Sequence, residues 1–506
     1  MKNILRVSIL AATLLQASNQ ETIEVTQKQM NKLYKTIEVL NQKVQNLEKK
    51  SLQKDDHQEQ IDELYEIVDE VETKTFKDKI SISPELRLRA DSYSYTDTHP
   101  AFKKDLEYDP LISVRFRLNM VTEFNQNMRF YARSISSKST QSYERICILS
   151  PQPSGIVSKL HDTEMVTEFD RAYFDYYFNA KGDIPLIFTA GILPTTGGSS
   201  SNLIEATPRK SVFPSIIFDS NIMGLILSAD LSNTLGLNDS YLRLIMGKAY
   251  TLDEKHYHFQ CNRENIGNLE NYGLFFETHL PFLGDKTLFL GGLNLAKNIK
   301  AKPRLGNDSL SGLEFEGQVD IVNSYLAEFA PEENQILGDV LNISIGIEAK
   351  KIFQTNTDFF AHFALSDPHP NGNEIDFSGQ FGVYNTGDYV QGGLVNKTGY
   401  ASFIGLRQNF PSFNDAKIGI EFNYGSQYWW SVTQGSEDVF NKLANRAHTY
   451  EIYGHYPFNR FLDLRVGYMQ VNENYVGSGW HFAKDGTPLA KDGVQKNLYL
   501  MFNGYF

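Results

Sequence analysis

Arginines recur at even spacing along three short stretches early in the chain: Arg87 and Arg89, Arg115 and Arg117, Arg129 and Arg133. Side chains of an extended strand point to alternate sides, so each set shares one face of its strand. A guanidinium stays protonated at any relevant pH and presents paired donors to a carboxylate or phosphate, so such a face suits attraction of anions. Arg465, beside Asp463 near the end of the chain, joins the same wall if the first and last strands become neighbours. The competing expectation is that these charges only solvate a polar interior and pair with Glu85, Asp170, Asp175 or Glu421.

A second group lies between Leu193 and Asp219. After Pro194 and the small residues up to Ser201 come Glu205, Arg209 and Lys210, then the apolar run Val212 to Phe218. An external loop has little reason to carry so many aliphatic and aromatic groups. Two readings stay open: 211–218 begins the next strand early and leaves Arg209 and Lys210 at an outer rim, or the loop folds inward.

Other chemistries find weak support. His256, His258 and Cys261 form one loose group and His362 with His369 another; neither is a complete ligand pattern, and exposed histidines are the simpler expectation, so no metal is assigned. Cys147 and Cys261 are too few for a disulfide scaffold but could pair with each other, since both fall in loops expected on one side. No nucleotide-binding glycine loop and no local serine, histidine and acid set occurs. No catalytic residue and no cofactor is therefore expected, and the net charge of −13 argues against nucleic-acid binding.

The elements that must position these residues are amphipathic strands. About sixteen segments have the ~9–11 residues that carry a tilted strand across a bilayer. They fall near 79–90, 111–124, 127–136, 165–179, 184–192, 220–229, 240–250, 271–281, 286–296, 341–352, 357–366, 399–410, 415–425, 447–457, 461–472 and 494–506. Short turns such as Asn125-Gln126, Ala180 to Asp183 and Pro457 to Arg460 alternate with long connections, among them 193–219, 297–340 and 426–446. Within 297–340, Gly312 to Ile321 could form part of another strand pair, so fourteen to eighteen strands are acceptable. Short turns on one side and long loops on the other mark a membrane barrel. In the last segment Leu498, Leu500, Phe502 and Phe506 share one face, while Tyr499, Met501, Asn503 and Tyr505 share the other. In the first three segments the same alternation turns Ile82, Leu86 and Leu88, Ile112, Val114 and Phe116, and Met128, Phe130 and Ala132 toward lipid.

The amino terminus reads differently. Lys2 and Arg6 precede an apolar run from Val7 to Leu15, roughly half of the ~20 residues a spanning helix needs, so residues 1–18 are expected to be a signal peptide. Residues 19–75 are expected to form a coiled coil. Met30, Leu33, Ile37, Leu40, Val44 and Leu47 keep a heptad seam, which breaks at Ser51, Lys54 and Gln58 and resumes through Ile61, Leu64 or Tyr65, Val68 and Val71. A single amphipathic helix against the barrel is the alternative.

Taken together, the leader, the heptad region, the hairpin array and the terminal Phe506 resemble Gram-negative outer-membrane porins that carry an amino-terminal periplasmic coiled coil. The resemblance implies an all-β barrel over 76–506, located in the outer membrane with the coiled coil in the periplasm. It also implies outer-membrane lipid as surroundings, homo-oligomers formed through coiled coil and barrel, and a cell-wall contact. By it, Glu205, Arg209 and Lys210 become constriction residues of an inward third loop. The function expected is passive diffusion of small hydrophilic solutes or ions, with an anion preference; the alternative is a receptor or adhesin barrel with a closed lumen.

Overall fold

The computed structural model describes residues 35, 38–39, 41–43, 80–98, 104–107, 110–140, 166–179, 182–249, 269–283, 287–301, 335–373, 375–376, 391–392, 394–433, 441–475, 488 and 490–506. Sixteen strands form one antiparallel ring: β1 (Ile80–Asp97), β2 (Leu111–Asn125), β3 (Met128–Ser139), β4 (Val166–Phe178), β5 (Leu186–Ile192), β6 (Ile222–Asp230), β7 (Tyr241–Ala249), β8 (Leu269–Leu280), β9 (Thr287–Ala301), β10 (Gln335–Ala349), β11 (Thr357–Pro370), β12 (Gly399–Phe410), β13 (Ala416–Gly425), β14 (Ala447–Pro457), β15 (Leu462–Tyr475) and β16 (Ala490–Tyr505). Each pairs with its sequence neighbours, and β1 closes the ring on β16 with Glu85 opposite Tyr505 and Asp97 opposite Gly493. Closure leaves no unpaired edge, which is what lets a sheet sit in hydrocarbon. A short strand, Lys104–Glu107, folds back on the end of β1, and Ile375–Asp376 pairs with Gln391–Gly392 outside the ring.

All sixteen expected segments are strands. Several run past their expected ends on the long-loop side, to Asp97, Ala301, Pro370 and Tyr475, and β10 begins at Gln335. Pairing therefore continues beyond what a bilayer requires, because the polar ends still gain hydrogen bonds from their neighbours. Gly312 to Ile321 lies outside the described residues.

The expectation of an all-β barrel preceded by a coiled coil needs correcting. The longest helices among the described residues, Ser201–Ile204 and Ser232–Leu235, have four residues each, too short for even one heptad. Of the segment 19–75, only six residues with helical backbone, from Lys35 to Lys43, are described; the rest lies outside the described residues. The fold defined here is the barrel alone, within the compact unit Lys79–Phe506.

Burial is inverted relative to a water-soluble protein. Ile82, Ile345, Ile452 and Leu498 are more than half exposed on the outer surface, whereas Arg89, Asn497 and Glu451 are buried inside. A continuous apolar exterior is stable only against lipid. At the short-turn end, exposed aromatics including Phe353, Phe413, Phe458 and Phe506 fit the headgroup level, where such rings prefer to sit.

The hydrophobic core lies inside the ring. Leu203, Phe213, Ile216, Ile217 and Phe218, all from the connection between β5 and β6, pack with Phe275, Phe360 and Phe403 of the wall and with Trp429, Trp430 and Val432 from the connection between β13 and β14. Both connections turn inward. Gly198 permits the first: a Cβ there would stand 1.9 Å from the Phe213 carbonyl oxygen. Gly425 does the same for the second, where a Cβ would meet the Asn445 carbonyl oxygen at 1.8 Å.

Candidate functional site

The third long loop leaves the wall at β5 and reaches strands five to seven places around the ring. Ser199 Oγ donates to Glu348 on β10 (2.8 Å) and lies 3.4 Å from His362 Nε2 on β11, while Arg407 on β12 donates to the Leu203 carbonyl oxygen at 2.5 Å. The two readings of this segment are thereby resolved: it crosses the lumen, and β6 begins only at Ile222. Its apolar residues face the β8, β11 and β12 wall. Its polar turn faces the opposite side.

Between that turn and the wall lies a cavity lined by seven cationic side chains, Arg87, Arg117, Arg133, Arg171, Lys210, Lys442 and Arg465, and by two carboxylates, Glu205 and Asp219. Of the residues singled out in the sequence, Arg87, Arg117, Arg133, Arg465, Glu205 and Lys210 meet here. The others lie elsewhere. Arg89 is buried against Asp91 (2.7 Å) and over the Tyr499 ring (5.0 Å). Arg115 lies off the cavity, 3.9 Å from Glu85. Arg129 stands exposed near the short-turn end, paired with Glu123 at 2.9 Å. Arg209 turns to the β8 wall, where it shares Glu277 with Arg243 at 2.6 and 2.7 Å. Cys147, Cys261, His256 and His258 lie outside the described residues. His362 is buried against the third loop rather than exposed, and His369 pairs with Asp367 (3.5 Å) at the rim. No cluster of three metal-binding side chains occurs among the described residues.

Three charged residues of the cavity, Arg171, Lys442 and Asp219, are not singled out by the sequence patterns. Arg171 adjoins Asp170 on β4, and strict alternation would send one of two adjacent charges into lipid. A bulge resolves this: Arg133 pairs with Arg171 and Ser134 with Phe169, so Asp170 is the inserted residue. Bulges re-aim side chains in this way. Asp170 then accepts from Arg133 Nε (2.8 Å) and Nη2 (2.6 Å), and Arg171 braces the loop by donating to the carbonyl oxygens of Thr196 (2.7 Å) and Lys210 (3.0 Å). Two adjacent charges in an otherwise amphipathic strand were the available signal. Lys442 belongs to the second inward loop. Its ammonium donates to Glu421 on β13 and to Glu451 on β14, the latter at 2.5 Å. The run Tyr428-Trp429-Trp430 in a supposedly external loop was the clue, by the same argument applied to Val212–Phe218. Asp219, the third, closes the inward segment, where its backbone N–H donates to Val432 (2.7 Å).

Glu205 and Lys210 form an ion pair at 2.7 Å on the loop's turn. Burial pushes the Glu205 carboxyl up, but Lys210, Arg465 and Arg117 outweigh it and hold the group below the usual carboxylate range. Burial pulls the Lys210 ammonium down, with Glu205 opposing. Behind the lining, Asp170, Glu421, Glu451 and Glu85 partly neutralise the cations. Positive charge still prevails at the cavity surface.

An apolar exterior, a closed antiparallel ring and a long loop drawn into a charged lumen define a membrane β-barrel. The chain belongs to the family described as "Protein of unknown function (DUF3373)", whose sequence model matches residues 105–502. Among solved structures it is similar to the high-pH structure of Pseudomonas putida OprB, with a TM-score of 0.48 and 9% identity over 86% of this chain and 96% of that one. It is also similar to the trimer form of Vibrio cholerae OmpT (TM-score 0.41, 10% identity, 85% and 100% covered) and to Salmonella typhi OmpF in complex with daunomycin (0.39, 10%, 83% and 97%). No curated protein matches the sequence.

Proposed function

We propose that the barrel is a passive diffusion channel of the outer membrane for small hydrophilic solutes or ions, with a preference for anions. The observation that carries the reading is the lining of the cavity beside the inward loop: seven cations and two carboxylates form its surface, while four more carboxylates, Glu85, Asp170, Glu421 and Glu451, pair with three of the cations from behind. Guanidinium groups on a rigid wall attract anions without being titrated, and the low-dielectric surroundings lengthen their reach. Glu205 and Lys210 on the inward loop sit opposite that wall and act as constriction residues.

A planar bilayer under a potassium chloride gradient tests this. Stable steps with an anion-biased reversal potential are expected, and Arg117→Gln with Arg465→Gln should lower the chloride preference about threefold, the order expected for removing two partly screened charges. Unbiased steps would keep the channel and discard the arginine wall as its filter. The second reading, a receptor or adhesin barrel with a closed lumen, draws on the apolar core that fills one side of the ring. Silence from heat-modifiable, folded protein would favour it.

A further inference from the structure

On the wall formed by β3 and β4, three tiers of lumen-facing side chains follow the cavity toward the short-turn end. Arg133 is paired with Arg171, then Tyr131 with Tyr173, then Arg129 with Asp175. Successive tiers are two residues apart, roughly 6.6–6.8 Å along a strand. The tyrosines are half-buried, and their rings stack at 4.9 Å between centroids with 17° between planes. Arg129 also lies 5.6 Å from the Tyr177 ring, so the lowest tier again joins a cation to an aromatic face. The alternation is guanidinium, aromatic pair, guanidinium.

Resting on the channel reading above, we propose that this wall gives the channel a weak binding site for planar organic anions, of which an aromatic monocarboxylate is the simplest. Its carboxylate meets the guanidinium tier of Arg133 and Arg171, both of which line the cavity. Its ring joins the tyrosine pair in an offset-stacked or edge-to-face arrangement, both of which aromatic groups favour. The geometry distinguishes this class from inorganic anions, which use the cations alone. It also distinguishes it from saturated carboxylates, which carry the same charge but no planar ring.

The test is chloride conductance through the full-length protein in a planar bilayer, titrated with benzoate and, separately, with cyclohexanecarboxylate. Benzoate should reduce the current at about two- to twelvefold lower concentration, the discrimination that one aromatic contact supplies. Replacing both rings, Tyr131→Leu with Tyr173→Leu, should erase that difference while chloride steps and reversal potential persist. The variant Tyr131→Phe with Tyr173→Phe, which keeps the rings and removes only hydroxyls, should retain it and guards against a folding defect in the leucine variant. Equal potency of the two acids on the natural protein overturns the proposal, as does discrimination that survives the leucine variant. Absence of any chloride step would instead overturn the channel reading on which it rests.

Discussion

The two sides of the lumen are built on opposite principles. Along β6 to β12 the space is filled by an apolar core in which Phe213 packs edge-on against Phe218 (5.3 Å) and Phe275 (4.7 Å), and Phe360 against Phe403 (4.7 Å). Along β15, β16 and β1 to β4 the wall carries arginines, set among buried tyrosines and methionines such as Tyr499 and Met501. One side holds the loops in place; the other lines a charged cavity. A wide barrel can narrow its bore either by shrinking the ring or by filling part of it. This chain fills it from one side, and the charged side contains the seam where β1 closes on β16.

The sharpest break of that comparison is on the apolar side. Phe213→Ala should remove about 3–5 kcal/mol of loop packing, as large aromatic truncations in cores do. The third loop should then gain access to protease in folded barrels, and conductance steps should grow. If loop protection and step size stay unchanged, the core does not hold the constriction. Lys442→Met asks whether charge anchors the second loop equally well. It leaves Glu421 and Glu451 buried together without their cation, a loss of ~3–5 kcal/mol for broken buried pairs. Cleavage within 426–446 should accelerate, and adding Glu451→Leu should partly restore protection; no change in cleavage would mean that the aromatic contacts suffice.

A smaller effect separates outside from inside. Leu500→Arg, near the middle of the outer apolar band, should destabilise the barrel by about 2–4 kcal/mol, measured as a lowered urea midpoint of the protein in vesicles. A neutral outcome would place that face away from lipid. The smallest effect concerns pH. Because Glu205 is held below the usual carboxylate range, its pairing with Lys210 is fully present above the ordinary carboxylate pKa and is lost only as pH falls through the depressed value. Chloride selectivity should therefore show no Glu205-dependent change between pH 7 and pH 5, and the Glu205→Gln variant should trace the same profile over that window. Profiles that diverge above pH 5 would place the carboxylate in the ordinary range.

Much of the barrel is legible in the amino-acid sequence. Period-two alternation in segments such as Ile112 to Leu118 determines which side meets lipid, because a one-residue slip would invert every side chain, and short turns determine neighbours. The inward loop was half legible: the run Val212 to Phe218 announced burial without saying where. Its counterpart around Trp429 carried the same signal and was read as an external loop, and the bulge that places Asp170 beside Arg133 was hidden behind an expectation of unbroken alternation. The heptad spacing predicts a coiled coil, whereas no helix among the described residues exceeds four residues.

By itself, then, the sequence determined the strand windows, their order and the polarity of each face. These are local properties, set by the geometry of one strand and its nearest turn. Tertiary structure decided which charges share a cavity and which are spent on partners. Arg117 and Arg465 come from opposite ends of the chain and meet because the ring closes, whereas Arg89 and Arg209, equally eligible by type and spacing, are taken up by Asp91 and Glu277. Such outcomes depend on contacts between residues hundreds of positions apart, and no local pattern encodes the competition among them.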